Sequence, residues 1–166
     1  MADASSPKQL IMEDEDLRSA FLAFMRRHTP GWPITGAADA PVFVRRADGA
    51  ENALTQVGTV WKTEGLRCLG VVVDADDKFP SRWARIKRFS KANFPAVPDN
   101  IPSDGLILKN TDGKRFGAWI MPDNKSPGML ETFCHPLIPD AQRTLWSYAS
   151  EVVKEARIRG AGFGAR

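Results

Sequence analysis

The chain is poor in the side chains that most often build a metal or covalent centre. In 166 residues it has two histidines, two cysteines and one tyrosine. His28 and His135 are single and unpaired in the sequence, so neither is assigned a ligand role. Cys68 and Cys134 lie in apolar contexts without metal-ligand spacing and read as buried free thiols. Free thiols suit a reducing compartment, and a cytoplasmic protein is expected. No apolar run approaches the roughly 20 residues of a membrane span. The start, "MADASSPKQ", lacks the hydrophobic region of a signal peptide. Residues 1–7 read as a short disordered tail. The net charge of +3 permits an anionic partner without demanding one.

What remains is the composition of one soluble globular domain, 43% apolar and 26% charged, long enough to bury a core. Strand and helix patterns alternate along it. "KQLIM" (8–12) is a short strand. It runs into "EDEDLRSAFLAFMRRH", where Leu17, Phe21, Phe24 and Met25 repeat at helical spacing. "TPGWPITGAADAP" is a Pro- and Gly-rich loop, and "VFVRR" (42–46) is a second strand. "AENALTQVGTVWK" forms a helix with Leu54, Val57 and Trp61 on one side, weakened at Gly58 by roughly 1 kcal/mol. "RCLGVVVDAD" is a third strand whose continuous apolar run predicts burial on both faces. "SRWARIKRFSKAN" is a helix capped by Ser81. "GLILKN" and "RFGAWIM" flank "TDG" as a hairpin. "PDAQRTLWSYASEVVKEARI" is the last helix, with Leu145, Tyr148, Ala149, Val152, Val153 and Ala156 along its apolar face. The expected domain covers 8–159, and 160–166 is a flexible end. Its "GAGFG" has no following helix and is not a phosphate loop. The alternation predicts an α/β three-layer sandwich, with a mainly parallel sheet, helices on both faces and a small β-hairpin.

In such sheets ligands bind beyond the carboxyl ends of the strands. That is where "LGVVVDADD" turns from apolar to acidic. Asp74 and Asp76, two residues apart on an extended chain, point the same way. Carboxylates so close raise one another's pKa unless a cation intervenes. Oxygen donors of this kind select Mg²⁺, with Mn²⁺ as the substitute. Glu13 ends the first strand and faces the pair if the two strands are neighbours. Asp14, Glu15 and Asp16 read as a dipole-complementing helix start. On this reading Asp76→Asn relieves repulsion and stabilises the metal-free fold.

A Glu after strand one and "hhhDxD" after strand three resemble the Toprim domain of topoisomerases, primases and overcoming-lysogenization-defect nucleases. The closer resemblance is to small prokaryotic Toprim-like proteins of unassigned function. It rests on "GAEN" (49–52), "GLRCLGVVVDADD" (65–77), "FGAWIMPDNKSPGMLETF" (116–133) and the "W…EVVKEA…RGA" end. Asp14 stands where that family carries Gly, and members usually continue in helix beyond the point where this chain ends. The resemblance implies a metal-binding domain acting on nucleic-acid phosphodiesters by Mg-dependent nuclease-type chemistry, in DNA repair or phage defence. It implies Asp74 and Asp76 as metal ligands and Glu13 as third ligand or general base. Asp77, Asp123, Asn124 and Glu131 are a candidate outer site. Their other reading is turn chemistry for 123 and 124 and a helix cap for Glu131. Topoisomerase chemistry needs a tyrosine nucleophile, and Tyr148, on the apolar face of the last helix, is read as core.

The third helix carries Arg82, Arg85, Lys87, Arg88 and Lys91 with no acid among them. Trp83, Ile86 and Phe89 share one face, and Arg85, Arg88 and Lys91 point outward as candidates to grip nucleic acid, or as a plain solvated face. Two other functions fit parts of this pattern. A catalytically weak Toprim-like module would work with a partner protein such as an ATPase. A haloacid-dehalogenase-type phosphatase also places DxD after a strand, but Lys78 occupies the position where that class has Thr or Val.

Overall fold

The computed structural model describes residues 5–32 and 41–162. Most of the expected loop before the second strand, the first residues of the tail and the last four of the chain lie outside the described residues. The chain runs β1 (Lys8–Met12), α1 (Glu15–His28), β2 (Phe43–Arg46), α2 (Ala50–Val60), β3 (Cys68–Asp74), α3 (Phe79–Ser90), β4 (Leu106–Lys109), β5 (Arg115–Met121), α4 (Leu130–Cys134), a 3₁₀ turn (His135–Leu137) and α5 (Asp140–Ile158). The strands form one sheet in the order β2-β1-β3-β5-β4. All neighbours are parallel except the β4–β5 hairpin. The chain goes from β1 to β2 on one side and returns across β1 to β3 on the other. The crevice between the carboxyl ends of β1 and β3 is therefore a topological switch point, the place where open α/β sheets hold ligands.

Alternation along the strands sorts the two faces. Ile11, Leu69, Val71, Val73, Phe116, Ala118 and Ile120 enter one core with Ala53, Leu54 and Val57 of α2 and Trp83 and Ile86 of α3. Trp61, Phe94 and Phe116 stack there with centroids 5.1–6.3 Å apart, each pair adding about 0.5–1.5 kcal/mol beyond area burial. Gly58 has a packing reason that offsets its poor helix propensity. A Cβ there would stand 3.1 Å from the Phe89 ring, so glycine lets α2 and α3 approach. The opposite face carries α1 and α4 and is less filled. Met12, Val72, Trp119 and Met121 floor an apolar groove of about 400 Å³ between those helices.

Four expectations need correction. The β3 run is fully buried on one face only. Cys68, Gly70, Val72 and Asp74 on the other face are half-buried, and Val72 lines the groove there. Both cysteines are free but only half-buried. α3 starts two residues before Ser81, at Phe79, with Pro80 in its first turn and no side-chain cap. Proline's fixed φ makes that start without a capping hydroxyl. Finally, Tyr148 is 65% exposed and no residue of α5 is buried. The stripe on α5 is real, but among the described residues no other element covers it. Among the described residues, no helix is long and apolar enough to cross a membrane.

Candidate functional site

β1 and β3 run in register, Met12 opposite Val72. Glu13 continues that ladder through its amide to the Val72 carbonyl at 3.1 Å. Its side chain then crosses the switch point, where Oε2 accepts the Asp74 backbone N–H at 2.8 Å. Asp74 turns one carboxylate oxygen, Oδ1, to the Leu130 N–H at 3.1 Å, at the start of α4. The pairing of strands and the start of α4 thus bring Glu13, Asp74 and α4 to one carboxyl edge.

Asp76 departs from the expected geometry. The strand ends at Asp74, Ala75 enters the core, and Asp76 adopts φ +51°. Two backbone hydrogen bonds to Gly128, at 2.8 and 2.7 Å, hold it there. The extended alternation that would have aimed Asp76 beside Asp74 is broken, and Asp76 Oδ2 instead accepts from Arg82 Nη2 at 2.9 Å. Arg82 is only 7% exposed. Its other nitrogens reach the Asp74 carbonyl at 3.2 Å and Glu51 at 3.4 Å. Repulsion is thus relieved at Asp76 by a cation already in place, so Asp76→Asn loses its expected stabilising effect.

This edge disfavours the ionised form of Asp74. Burial above all, then Glu13, Asp14, Asp76 and Glu131, push its pKa from the usual 3.8 up to about 7. Glu13 is also raised, chiefly by burial. The Asp74 N–H and Arg82 pull it down, against Asp76 and Asp14. Asp14 caps α1, accepting the Leu17 N–H at 2.8 Å. Glu15 bonds Arg18 and Ser19. The helix-start reading of these acids therefore stands, and Asp14 adds its charge to the site as well.

The remaining candidates are dispersed. Asp77 is exposed in the turn before α3. Asp123 accepts the backbone N–H groups of Lys125 and Ser126 and the Ser126 hydroxyl, which is turn chemistry. Asn124 is 3% exposed, at φ +60°, and its Oδ1 accepts the Ile120 N–H at 2.7 Å. Glu131 lies in the first turn of α4, but Met129, not Glu131, is the N-cap. On α3, Arg85 pairs with Glu51. Arg88 stays exposed with its guanidinium 4.7 Å over the Phe89 ring, and Lys91 is exposed at the helix end. The loop after α3 turns back along it, with Asp99 accepting from Trp83 at 2.7 Å.

Arg82 and Glu51 are the site residues missed in the sequence. Arg82 was grouped with the basic run of α3. Its spacing to Ile86 and Phe89, four and seven residues on, puts it on the buried face. A lone cation on an apolar face near three acids was the available signal. Gly128 is a third. Its φ is +138°, and a Cβ would meet Thr132 at 2.8 Å. Gly128→Ala is expected to lose about 1–2 kcal/mol and to loosen the Asp76 bridge. Urea unfolding checks this; a change within about 0.3 kcal/mol would mean that the backbone relaxes freely there.

Glu13 and Asp74 bring carboxylate oxygens to this edge, the donor type that a hard divalent cation takes. Among the described residues, no group of three or more His, Cys, Asp or Glu side chains forms a ready ligand cage. Two carboxylates suffice for Mg²⁺, which keeps several waters and takes further ligands from a substrate. Asp76 joins such a set only by leaving Arg82.

A family model described as a protein of unknown function (DUF3226) matches residues 7–165. No curated protein and no solved structure matches the chain.

Proposed function

The chain belongs to the DUF3226 family of proteins of unknown function, and we propose that it is a Toprim-like domain whose Glu13 and Asp74 hold Mg²⁺, or Mn²⁺ in its place, for chemistry on nucleic-acid phosphodiesters. One observation carries the reading. Glu13 and Asp74, from adjacent parallel strands, come together at the switch point, Glu13 on the Asp74 backbone amide at 2.8 Å, with Asp74 pushed up to about 7 by burial first and by the acids around it second. A fold that keeps such repulsion at a ligand-binding edge gains nothing structural from it.

When bound, the ion would stabilise charge developing on phosphodiester oxygens. The chain's own groups have separate tasks. The Asp74 amide would fix Glu13 as the second ligand or as general base. The Leu130 N–H orients Asp74. Arg82 holds Asp76 in reserve as a further ligand. Arg88 and Lys91 are the exposed cations of α3 that would meet a phosphate backbone, while Arg85 is engaged by Glu51.

That engagement of Asp76 by Arg82 favours a second reading, a Toprim-like module with weak or no turnover that acts with a partner protein such as an ATPase. Metal melts and a nuclease assay separate the two. Millimolar Mg²⁺ or Mn²⁺ is expected to raise the melting temperature of the wild type. Saturation at about 100 times Kd is worth about 2.7 kcal/mol. Glu13→Gln and Asp74→Asn should respond far less. Metal-dependent nicking lost in Glu13→Gln supports the enzyme; a metal response without nicking supports the module. A wild type indifferent to both ions would remove the metal site.

A further inference from the structure

We propose that the protein forms a reciprocal dimer in which α5 of each copy lies in the apolar groove of the other. Among the described residues, each chain carries both halves of this contact uncovered. On α5, Leu145, Tyr148, Val152 and Val153 are 69%, 65%, 48% and 42% exposed. Leu145, Tyr148 and Val152 fall at three- and four-residue steps, with Val153 beside them, and so form one stripe. The groove on the less filled sheet face has Met12 and Trp119 as floor, Phe21 and Phe24 of α1 as one wall, and Phe133 and Leu137 as the other. Phe24 and Leu137 remain 55% and 65% exposed at its rim. An apolar stripe and an apolar trough of this kind form the helix-in-groove mode of recognition.

Two observations favour a second copy as the occupant. Ile138, which follows the groove wall, is extended, Pro139 takes φ −57° and ψ 143°, and no residue of the helix that follows is buried. Such a straight connection with a helix beyond it is the geometry of exchange between protomers. Size is sufficient as well. A 19-residue helix is about 28 Å long and about 10 Å across. Two such contacts, each covering about a third of the helix circumference, bury on the order of 1,200 Å², the lower end of a stable interface.

The groove floor includes Met12 and Val72, beside Glu13 and Asp74. The partner's helix would therefore close the apolar side of the carboxylate edge. The dimer does not depend on that edge binding a metal.

Sedimentation of the full chain across a hundredfold concentration range tests the proposal. The wild type should reach a dimer. Leu145→Asp and Val152→Asp, on the helix, and Phe24→Asp and Leu137→Asp, on the groove rim, should each weaken dimerisation by roughly thirtyfold or more, the scale on which interface anchors act. All four positions are exposed in the single chain, and circular dichroism would verify that each variant folds. Mixing Phe24→Asp with Leu145→Asp should restore partial dimerisation, because one intact helix then meets one intact groove. A wild type that stays monomeric overturns the proposal. So does a dimer broken by the helix variants but not by the groove variants, which would mean that α5 packs on α5.

Discussion

Asp74→Asn is expected to stabilise the metal-free protein by about 2 kcal/mol at about pH 8 and to leave its stability unchanged below about pH 4. The raised pKa sets the sign. An acid whose folded pKa lies above its unfolded value binds more protons folded than unfolded between the two. Stability then falls as pH rises through that window. For Asp74 the window runs from 3.8 to about 7. The penalty is absent below it and complete above it. A three-unit shift corresponds to about 4 kcal/mol, and we take roughly half because the carboxylate is partly open to screening water. Asparagine keeps an oxygen for the Leu130 N–H and removes only the charge. Glu13 is shifted in the same direction and steepens the decline. Urea unfolding of both proteins at the two pH values decides the matter. A difference independent of pH would mean that Asp74 is not held under repulsion.

Arg82→Met should cost about 2 kcal/mol, because the Asp74 carbonyl and half-exposed Asp76 lose a buried donor while exposed Glu51 keeps Arg85. Methionine fills the stem's space, so the loss reports the charge and its hydrogen bonds rather than a cavity. Two acceptors lose their donor together, the Asp74 carbonyl and Asp76. Asp76→Asn should cost less, about 1 kcal/mol, since Asp76 is 41% exposed and water can replace its partner. A double-mutant cycle isolates the pair. If Arg82→Met costs less than about 1 kcal/mol, Arg82 is merely a charge on the surface of α3. The stabilising substitution at this edge is thus at Asp74 rather than Asp76, because only one of the two has a cation beside it.

The first half of the fold was legible because local signals there agree with tertiary packing. Leu54, Val57 and Trp61 mark the buried side of α2 by spacing alone, and all three are in the core. The acids of α1 sit at its start and the bases at its end, so the dipole rule located both ends. The carboxyl-edge rule put Glu13 with Asp74 before any contact was known. What was not legible depends on one residue leaving a regular pattern. Asp76 was aimed by strand alternation, but a single φ of +51° redirects it. Arg82 looked like one of five similar cations, and only its neighbours Glu51 and Asp76, brought from other elements, distinguish it. The stripe on α5 was visible, yet periodicity states that a face is apolar without stating what covers it.

The carboxylate edge is assembled from segments far apart in the chain. Glu13 and Asp74 are 61 residues apart, and Asp74 and Leu130 are 56. A ribosome delivers them in order. β1 and β3 can pair, and Glu13 can reach the Asp74 amide, once the first half of the chain has emerged. At about 5–20 residues per second, Gly128 and Leu130 follow only after some 3–10 seconds. During that interval the nascent domain has its acids but not the amides that pin Asp74 and Asp76 from the other side. The segment that completes the site is also the one that leads into α5, so the last wall of the crevice and the arm that reaches for a neighbour are synthesised together.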